Sequence, residues 1–406
     1  LIRTQKLTTV QIAEVAAYLS RFYIDAKPVD MQPNEYSERL AEHCRANRAD
    51  LLNALSRPHR NSIRRVCGAQ LQYIALHKDV LYERVRAGRV VEGHGDLRAE
   101  HIFLESRPAI IDCIEFSHVL REVDILDELC FLAMDCERLG DTRVGKTALA
   151  NYGEATDDQP PVSLIAFYKS YRACVRAKVA ALRAEQAGEL HQRPFRRQAL
   201  QYLTWADHYA DQLGPPLLLV VGGMMGTGKS TLAKALAETI GAESLHTDQI
   251  RRDQFGQSAS PAEYGQGIYD EAHRRQVYER LLAKADDALD NGRSVVIDGT
   301  FLKNVYRRSA LEHGRWHGAQ ARFVECVCPE DTSQMRIAQR AGVDAVSSEA
   351  RPELYRMQAD EYEQVSDSLK PIRCESTGSL ENGVSEIVAA LQTTSRRSPP
   401  TKQTDP

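Results

Sequence analysis

The sequence contains no run of about 18 apolar residues, so no membrane-spanning helix is expected. It has no paired C-x-x-C spacing. The nine cysteines are scattered, and the closest two, Cys326 and Cys328, lie on an apolar run where strand packing is expected rather than a zinc site. An odd, unpatterned set of thiols suits a reducing cytoplasm, which is the expected location. Charge of one sign is also lacking. Fifty-two basic against 56 acidic residues leave a net −4, so no overall field points to nucleic acid as a partner. No signal-peptide pattern follows Leu1, and a start without Met reads as that of a piece whose original beginning is missing.

What remains is the composition of an ordinary globular protein. The chain has 406 residues, 43% apolar and 27% charged, enough for two or three domains. Helical spacing of apolar residues predicts helices near 8–23, 36–55 and 60–88. Two short apolar strands are expected at "HIFLE" and "AIIDCIEF". Helices follow at about 121–138 and 161–188, with the acidic, proline-bearing "GEATDDQPP" as a break between them. "GELHQRPFRRQ" reads as a solvated basic linker, followed by a connecting helix.

From "PPLLLVVGG" onward the pattern changes to strand–helix alternation. Continuous apolar runs ending in glycine or aspartate are the mark of buried parallel strands. Strands are expected at "PLLLVVGG", "AESLHTD", "RSVVIDGT", "ARFVECVCP" and "IRCESTG". Helices are expected after the first of these and near 267–290, 331–341, 351–367 and 381–392. Short connections in such a series imply a covered parallel sheet. The end, "TTSRRSPPTKQTDP", has the composition of a disordered tail.

Gly223 to Ser230 spells "GMMGTGKS", a complete G-x-x-x-x-G-K-S phosphate loop between an apolar strand and a helix-forming run. Gly223, Gly226 and Gly228 permit the turn that points the N–H groups of the loop, Thr227 included, at phosphates. The helix start adds its free N–H groups and dipole. Lys229 is expected to reach the β and γ phosphates of ATP, and Ser230 to ligate Mg²⁺ with Thr231 beside it. Asp248 follows a strand in "LHTDQIRRD", in place to orient a hydroxyl acceptor or, more blandly, to cap a helix. Asp298 ends the strand of "SVVIDGTF" and is the candidate acid that supports Mg²⁺. Thr300 and Phe301 are placed only speculatively beside an acceptor. Arg336 and Arg340 stand four apart on one helical face, as phosphate-clamping or simply solvated guanidinium groups. "SSEARPELYRMQADEYE" would form a lid and its returning helix.

From about Pro216 to Leu391 these motifs resemble the small P-loop kinases, among them gluconate kinase, chloramphenicol phosphotransferase and zeta-toxin-like enzymes. The resemblance implies nucleotide and Mg²⁺ roles for Lys229 and Ser230. It implies an acceptor-side acid at Asp248, a candidate for the base that activates a hydroxyl, and lid arginines at Arg336 and Arg340. It does not name the acceptor.

A second motif lies far upstream. "GHGDLRAEHI" carries Asp96 and, five residues on, His101; Asp112 and Glu115 follow in "IIDCIEF". Phosphoryl transfer in kinase catalytic loops uses an Asp, an amide at plus five and a second acid for the metal. Polar hairpins with capped turns are the plainer explanation. The stretch resembles the aminoglycoside phosphotransferase-like loop, H-G-D-L-H-x-x-N followed by an aspartate. The whole chain, with "LREVDILDELCFLAMDCERLG" and "FYKSYRACVRAKV", resembles a bacterial family that fuses such a domain to a C-terminal P-loop ATPase. Under that resemblance Asp96 is the catalytic acid and Asp112 a metal ligand. Two departures stand out: Arg98 replaces the second histidine and His101 the asparagine, an imidazole where Mg²⁺ prefers oxygen. The small strand-rich lobe with its Gly-rich loop and lysine is also missing ahead of Asp96, so little activity is expected there.

The expected organisation is therefore a mainly helical kinase C-lobe-like domain at 1–188, a linker with a connecting helix at 189–215, a P-loop kinase-like α/β domain at 216–392 and a tail at 393–406. The expected reaction moves the γ-phosphoryl of ATP, with Mg²⁺, to a hydroxyl of a small molecule. The alternatives are a nucleotide-dependent regulatory module with slow or no turnover, and a kinase acting on a macromolecule.

Overall fold

Helical apolar periodicity dominates the first half of the chain and strand–helix alternation the second, and the structure divides accordingly. It is a computed structural model that describes residues 1–104, 107–256, 270–343 and 352–395. The two units are Leu1–Gly214 and Pro215–Pro406.

The first unit consists of α1 (Thr9–Asp25), α2 (Pro33–Ala54), α3 (Arg60–Leu76), α4 (Lys78–Arg86), α5 (Ile125–Arg138), α6 (Arg143–Thr156), α7 (Val162–Gln186) and α8 (Gly188–Ala210). Four three-residue strands interrupt them: β1 (Val90–Glu92), β2 (Ile102–Leu104), β3 (Pro108–Ile110) and β4 (Glu122–Asp124). Local chemistry sets several boundaries. Thr8 and Gln11 close a reciprocal capping box at the start of α1. Pro33 opens α2, where a missing N–H costs nothing. Asp124 caps α5 by accepting from the Leu126 N–H at 2.9 Å.

Helix α5 is the centre of the unit, buried from Ile125 to Cys136. Leu126, Cys130, Phe131 and Met134 join the core shared with α2, α3, α7 and α8. Ile125, Leu129, Leu132 and Cys136 join a second core with α1 and α6. One helix thus fills two cores from its opposite faces, each large side chain contributing about 1.5–3 kcal/mol of burial. Arg84 is buried between two acids: Nε and Nη2 reach Asp124 at 2.8 Å each, and Nη1 reaches Asp158.

Several expectations are corrected here. The helix foreseen at 60–88 breaks at His77 into α3 and α4. The one foreseen from 121 begins only at Ile125, because Glu122–Asp124 pairs antiparallel with β1, Val90 opposite Asp124. Helix α6 was not foreseen. The "AIIDCIEF" strand ends at Ile110, paired with Ile102. The stretch expected as a linker, "GELHQRPFRRQ", is instead helical and opens α8, which runs on into the expected connecting helix, where Ala199, Tyr202, Leu203 and Ala206 are buried in the first core. Its polar start reads as linker, but its later apolar stripe packs along α7.

The second unit is a five-stranded parallel sheet in the order β6-β7-β5-β8-β9. The strands are β5 (Leu217–Gly222), β6 (Glu243–His246), β7 (Val295–Asp298), β8 (Gln320–Val327) and β9 (Ile372–Glu375). The helices between and after them are α9 (Lys229–Ile240), α10 (Thr247–Phe255), α11 (Glu271–Asp290), α12 (Asn304–Trp316), α13 (Glu330–Val343), α14 (Pro352–Glu361) and α15 (Leu380–Ser395). Every residue of the central strand β5 is buried, as its continuous apolar run requires. Helices α9 and α15 pack together on the sheet, and α11 packs with α12. In register, Val221 lies beside Asp298 of β7 and Val324 of β8, so the strand ends carrying glycine and aspartate come out at one edge. The last helix continues to Ser395, past the expected start of the tail; residues 396–406 lie outside the described residues, as do 347–351 at the start of the expected lid tract, whose continuation from Pro352 to Glu361 is α14.

Candidate active site

The phosphate loop runs from the end of β5 to the start of α9. Gly223, Gly226 and Gly228 all have positive φ, at 152°, 80° and 86°. Two of them are also close-packed: a Cβ on Gly223 would lie 2.3 Å from the Cys326 carbonyl oxygen, and one on Gly226 2.5 Å from that of Ser333. No other residue fits there without moving backbone. Thr227 Oγ1 donates to the Met224 carbonyl at 2.8 Å, and Lys229 Nζ to the same oxygen at 3.4 Å. Gln358 of α14 accepts from the Met225 N–H at 3.2 Å. Lys229, Ser230 and Thr231 begin α9, so the helix N-terminus faces the loop.

Asp298 ends β7 beside this helix start. Burial pushes its carboxyl up, but the hydrogen bond from His246, the Lys229 ammonium and the neighbouring Ser230 hydroxyl outweigh it and hold it below its ordinary value. His246 Nδ1 is 3.1 Å from Asp298 Oδ2, and its Nε2 is 3.0 Å from Ser244 Oγ. The bond to Asp298 raises the imidazole pKa against the lowering effect of burial. Asp298 Oδ1 is buried without a hydrogen-bond partner among the described residues. A buried, ionised, unpartnered carboxylate oxygen beside a serine hydroxyl is an oxygen donor set that fits Mg²⁺.

Arg336 of α13 turns back towards the loop. Its Nη1 donates to Ser376 Oγ at 3.0 Å and its Nη2 to the Ser376 carbonyl at 2.7 Å. Ser376 in turn donates to the Thr227 carbonyl. Nη1 would lie 3.4 Å from a Cβ on Gly228. Arg336, Thr231, Ser376 and Leu380 line a cleft of about 550 Å³ next to the loop. Arg340 lies on the same helix, and its side chain is outside the described residues. Asp248 is in the first turn of α10, largely exposed, with Oδ1 2.7 Å from Arg251 Nη1. Phe301 is buried, its N–H donating to the Tyr278 hydroxyl at 3.0 Å, and so belongs to the core rather than to an acceptor surface. The phosphate loop, Asp298 and Arg336 are thus brought together.

Sequence reasoning missed His246, Ser244, Gln358 and Ser376. The first two had a signal: strand alternation in "ESLH" puts Ser244 and His246 on one face just before Asp248. The others come from distant segments and had none.

In the first unit the "HGDL" loop is held from below by Glu128. Its carboxylate accepts from the His94 and Gly95 N–H groups at 2.6 Å each and from the Tyr23 hydroxyl at 2.7 Å. Arg172 pairs with Asp127 through two hydrogen bonds of 2.8 and 2.7 Å and donates a third to the Gly95 carbonyl. On this base Asp96, Arg98, His101 and Asp112 converge. Arg98 is buried and pairs with Asp96 at 3.0 Å and with Glu100. His101 Nδ1 donates to the Asp96 carbonyl at 2.9 Å, leaving Nε2 3.0 Å from Arg98 Nη2 and 3.2 Å from Asp112 Oδ2. Asp112 is exposed and has a left-handed φ of 65°. A guanidinium set among the carboxylates does not fit Mg²⁺, so no step is derived through a metal there.

With the geometry in place, comparison with known proteins adds the following. Uncharacterized protein Rv2004c of Mycobacterium tuberculosis and uncharacterized protein Mb2027c of Mycobacterium bovis are each 38% identical over 293 residues, which is 70% of this chain. The match spans 57% of the length of these relatives. Similar solved structures include a sugar kinase from Janibacter sp. (20% identical, 44% of this chain and 95% of that one, TM-score 0.35). A gluconokinase from Sinorhizobium meliloti is 22% identical over 45% of this chain and 95% of its own, with a TM-score of 0.33. The Mycobacterium tuberculosis APS kinase CysC, solved with AMPPNP and APS, is 18% identical over 44% and 99%, with a TM-score of 0.32. Residues 218–365, within the second unit, match the family model described as an AAA domain.

Proposed function

We propose that the second unit transfers the γ-phosphoryl group of ATP to a hydroxyl of a small molecule. The observation that carries this reading is the constellation at the sheet edge: a complete phosphate loop, Lys229, and the buried Asp298 oxygen beside Ser230. Backbone N–H groups of 223–228 and the α9 N-terminus would cradle the phosphates. Lys229 would exchange the Met224 carbonyl for a phosphate oxygen. Ser230 and Asp298 would hold Mg²⁺, which supplies charge neutralisation between the β and γ phosphates. Arg336 already leans on Ser376 at the loop and would add positive charge to the transferring group; Arg340 is assigned the same role from its place on the helix. Asp248, exposed and paired with Arg251, would accept the proton of the acceptor hydroxyl or orient it.

The "HGDL" loop we read as an aminoglycoside phosphotransferase-like relic in this chain, with Asp96 neutralised by Arg98. Asp112, proposed as a ligand from sequence, would have to compete with that cation.

The test is ATP turnover against a panel of small hydroxyl compounds, on the intact chain and on Lys229→Ala and Asp96→Ala. Acceptor-dependent turnover should fall by about 100-fold or more in Lys229→Ala and stay within about twofold in Asp96→Ala. Turnover that survives Lys229→Ala and disappears in Asp96→Ala would overturn the assignment.

A further inference from the structure

Two histidines and two aspartates meet where the ends of α11 and α12 pack together. Asp286 and Asp290 stand one turn apart at the end of α11. His313 is in the last turn of α12 and His317 is its C-cap, four residues on, with the His317 N–H donating to the His313 carbonyl at 3.2 Å. Asp286 Oδ1 is 3.3 Å from His313 Nδ1 and 3.1 Å from His317 Nε2. Each of the three residues offers one ligand atom, and these atoms all lie within 4.8 Å of one another. It is the one such group of three among the described residues. None of its members belongs to the phosphate loop or to the acids described above.

We propose that Asp286, His313 and His317 bind a late first-row divalent transition metal, of which Zn²⁺ is the representative, and that Asp290 is the positioning residue behind His317. The donor set is two imidazole nitrogens and one carboxylate oxygen. That set suits zinc and its neighbours and does not suit Mg²⁺ or Ca²⁺, which take oxygen shells. Two histidines one turn apart on a helix are a known way to present both rings to one zinc ion.

The contact behind the site sharpens this reading. His317 Nδ1 is 2.6 Å from Asp290 Oδ1, and a carboxylate there accepts, so Nδ1 carries a proton. Nε2 is then the nitrogen that faces Asp286 Oδ1 at 3.1 Å, a contact satisfied by a second ring proton or, with that proton displaced, by a bound metal cation. A carboxylate on the far nitrogen of a histidine is the usual support of a metal-ligating ring, fixing its tautomer and raising its basicity. His317 is 15% exposed and His313 44%, so the ring that needs holding is packed and the other opens the site to solvent. A bound ion would staple α11 to α12, the two helices that precede and follow β7 in the chain. Three protein ligands leave a position for water.

The experiment is a Zn²⁺ titration of the full chain without nucleotide and with Mg²⁺ in excess, read by calorimetry and by bound metal after desalting. The wild type should take up one equivalent with micromolar or tighter affinity. The His313→Ala/His317→Ala pair and the near-isosteric Asp286→Asn should each lose that equivalent. Asp290→Asn should weaken it by about 10- to 100-fold. Lys229→Ala should bind as the wild type does, which separates this site from the nucleotide site. Zn²⁺ should raise the melting temperature of the wild type and not of the variants. Circular dichroism of the metal-free variants shows whether they fold, and Asp286→Asn carries the test if the double variant does not. No uptake by the wild type, or the same equivalent retained by a folded Asp286→Asn chain, would overturn the proposal and leave an ion-pair clamp only.

Discussion

Asp298 illustrates how one residue is prepared by its neighbours. A carboxylate so buried would ordinarily hold its proton, yet His246, Lys229 and Ser230 keep it ionised with one oxygen unpartnered. The charge, not the shape, is what Mg²⁺ would use. Asp298→Asn keeps the shape and removes the charge, so Mg²⁺ affinity in the presence of ATP should fall by about 10- to 100-fold while the fold is retained. Calorimetric titration with Mg²⁺ would measure this; an unchanged affinity would move the metal away from β7. Arg98 gives the opposite lesson. Asp96 stands in the "HGDL" loop as the spacing led one to expect, and the neighbouring Arg98 guanidinium takes up its carboxylate.

At the scale of elements, short polar contacts decide where helices begin, and some of these can be titrated. Asp141 stands just ahead of α6; its Oδ1 accepts from the Arg143 N–H at 2.9 Å and its Oδ2 pairs with that side chain at 2.7 Å. These bonds hold its carboxyl below the ordinary value in spite of partial burial. A depressed pKa contributes stability that is fully present above the unfolded value, about 3.9, and is lost as pH falls through the folded one. Asp141→Ala should therefore destabilise the chain at neutral pH, by at most about 1 kcal/mol for a solvent-screened hydrogen-bonded pair. Denaturant melts of the two chains should converge once the pH lies below the folded pKa. A difference that persists in acid would mean that packing, not the charge, is responsible. Helix α8 shows the limit of reading elements one at a time: "GELHQRPFRRQ" is polar enough for a linker, and only the stripe at Ala199, Tyr202, Leu203 and Ala206 ties it to α7.

For the whole molecule, the division into two units has a thermodynamic consequence. A ligand that binds one native unit stabilises that unit by mass action, about 2.7 kcal/mol at a hundredfold excess over Kd. In scanning calorimetry, ATP with Mg²⁺ should raise the transition belonging to the second unit, and Lys229→Ala should abolish the rise. A ligand shift that survives Lys229→Ala would place nucleotide binding elsewhere. Most of the second unit was legible beforehand. Its five strands, its phosphate loop and the acid at the end of β7 are contiguous signals, each carried by a few adjacent residues. The first unit was less so: α6 lacked a recognised signal, and strands of three residues such as β1 and β4 are too short for periodicity to register.

The sequence by itself determined the parallel sheet with its glycine-bearing loop, because continuous apolar runs, positive-φ glycines and helix starts are properties of neighbouring residues. Tertiary structure alone decided which polar groups meet. His246 reaches Asp298 across 52 positions, Tyr23 reaches Glu128 across 105, and Ser376 reaches Thr227 across 149. The same holds for Asp286 with His313, 27 positions apart. Such pairs leave no local pattern, since their geometry is set by strand order and helix packing. It is there that one carboxylate oxygen of Asp298 is left without a hydrogen-bond partner in one unit, while Asp96 becomes the partner of an arginine in the other.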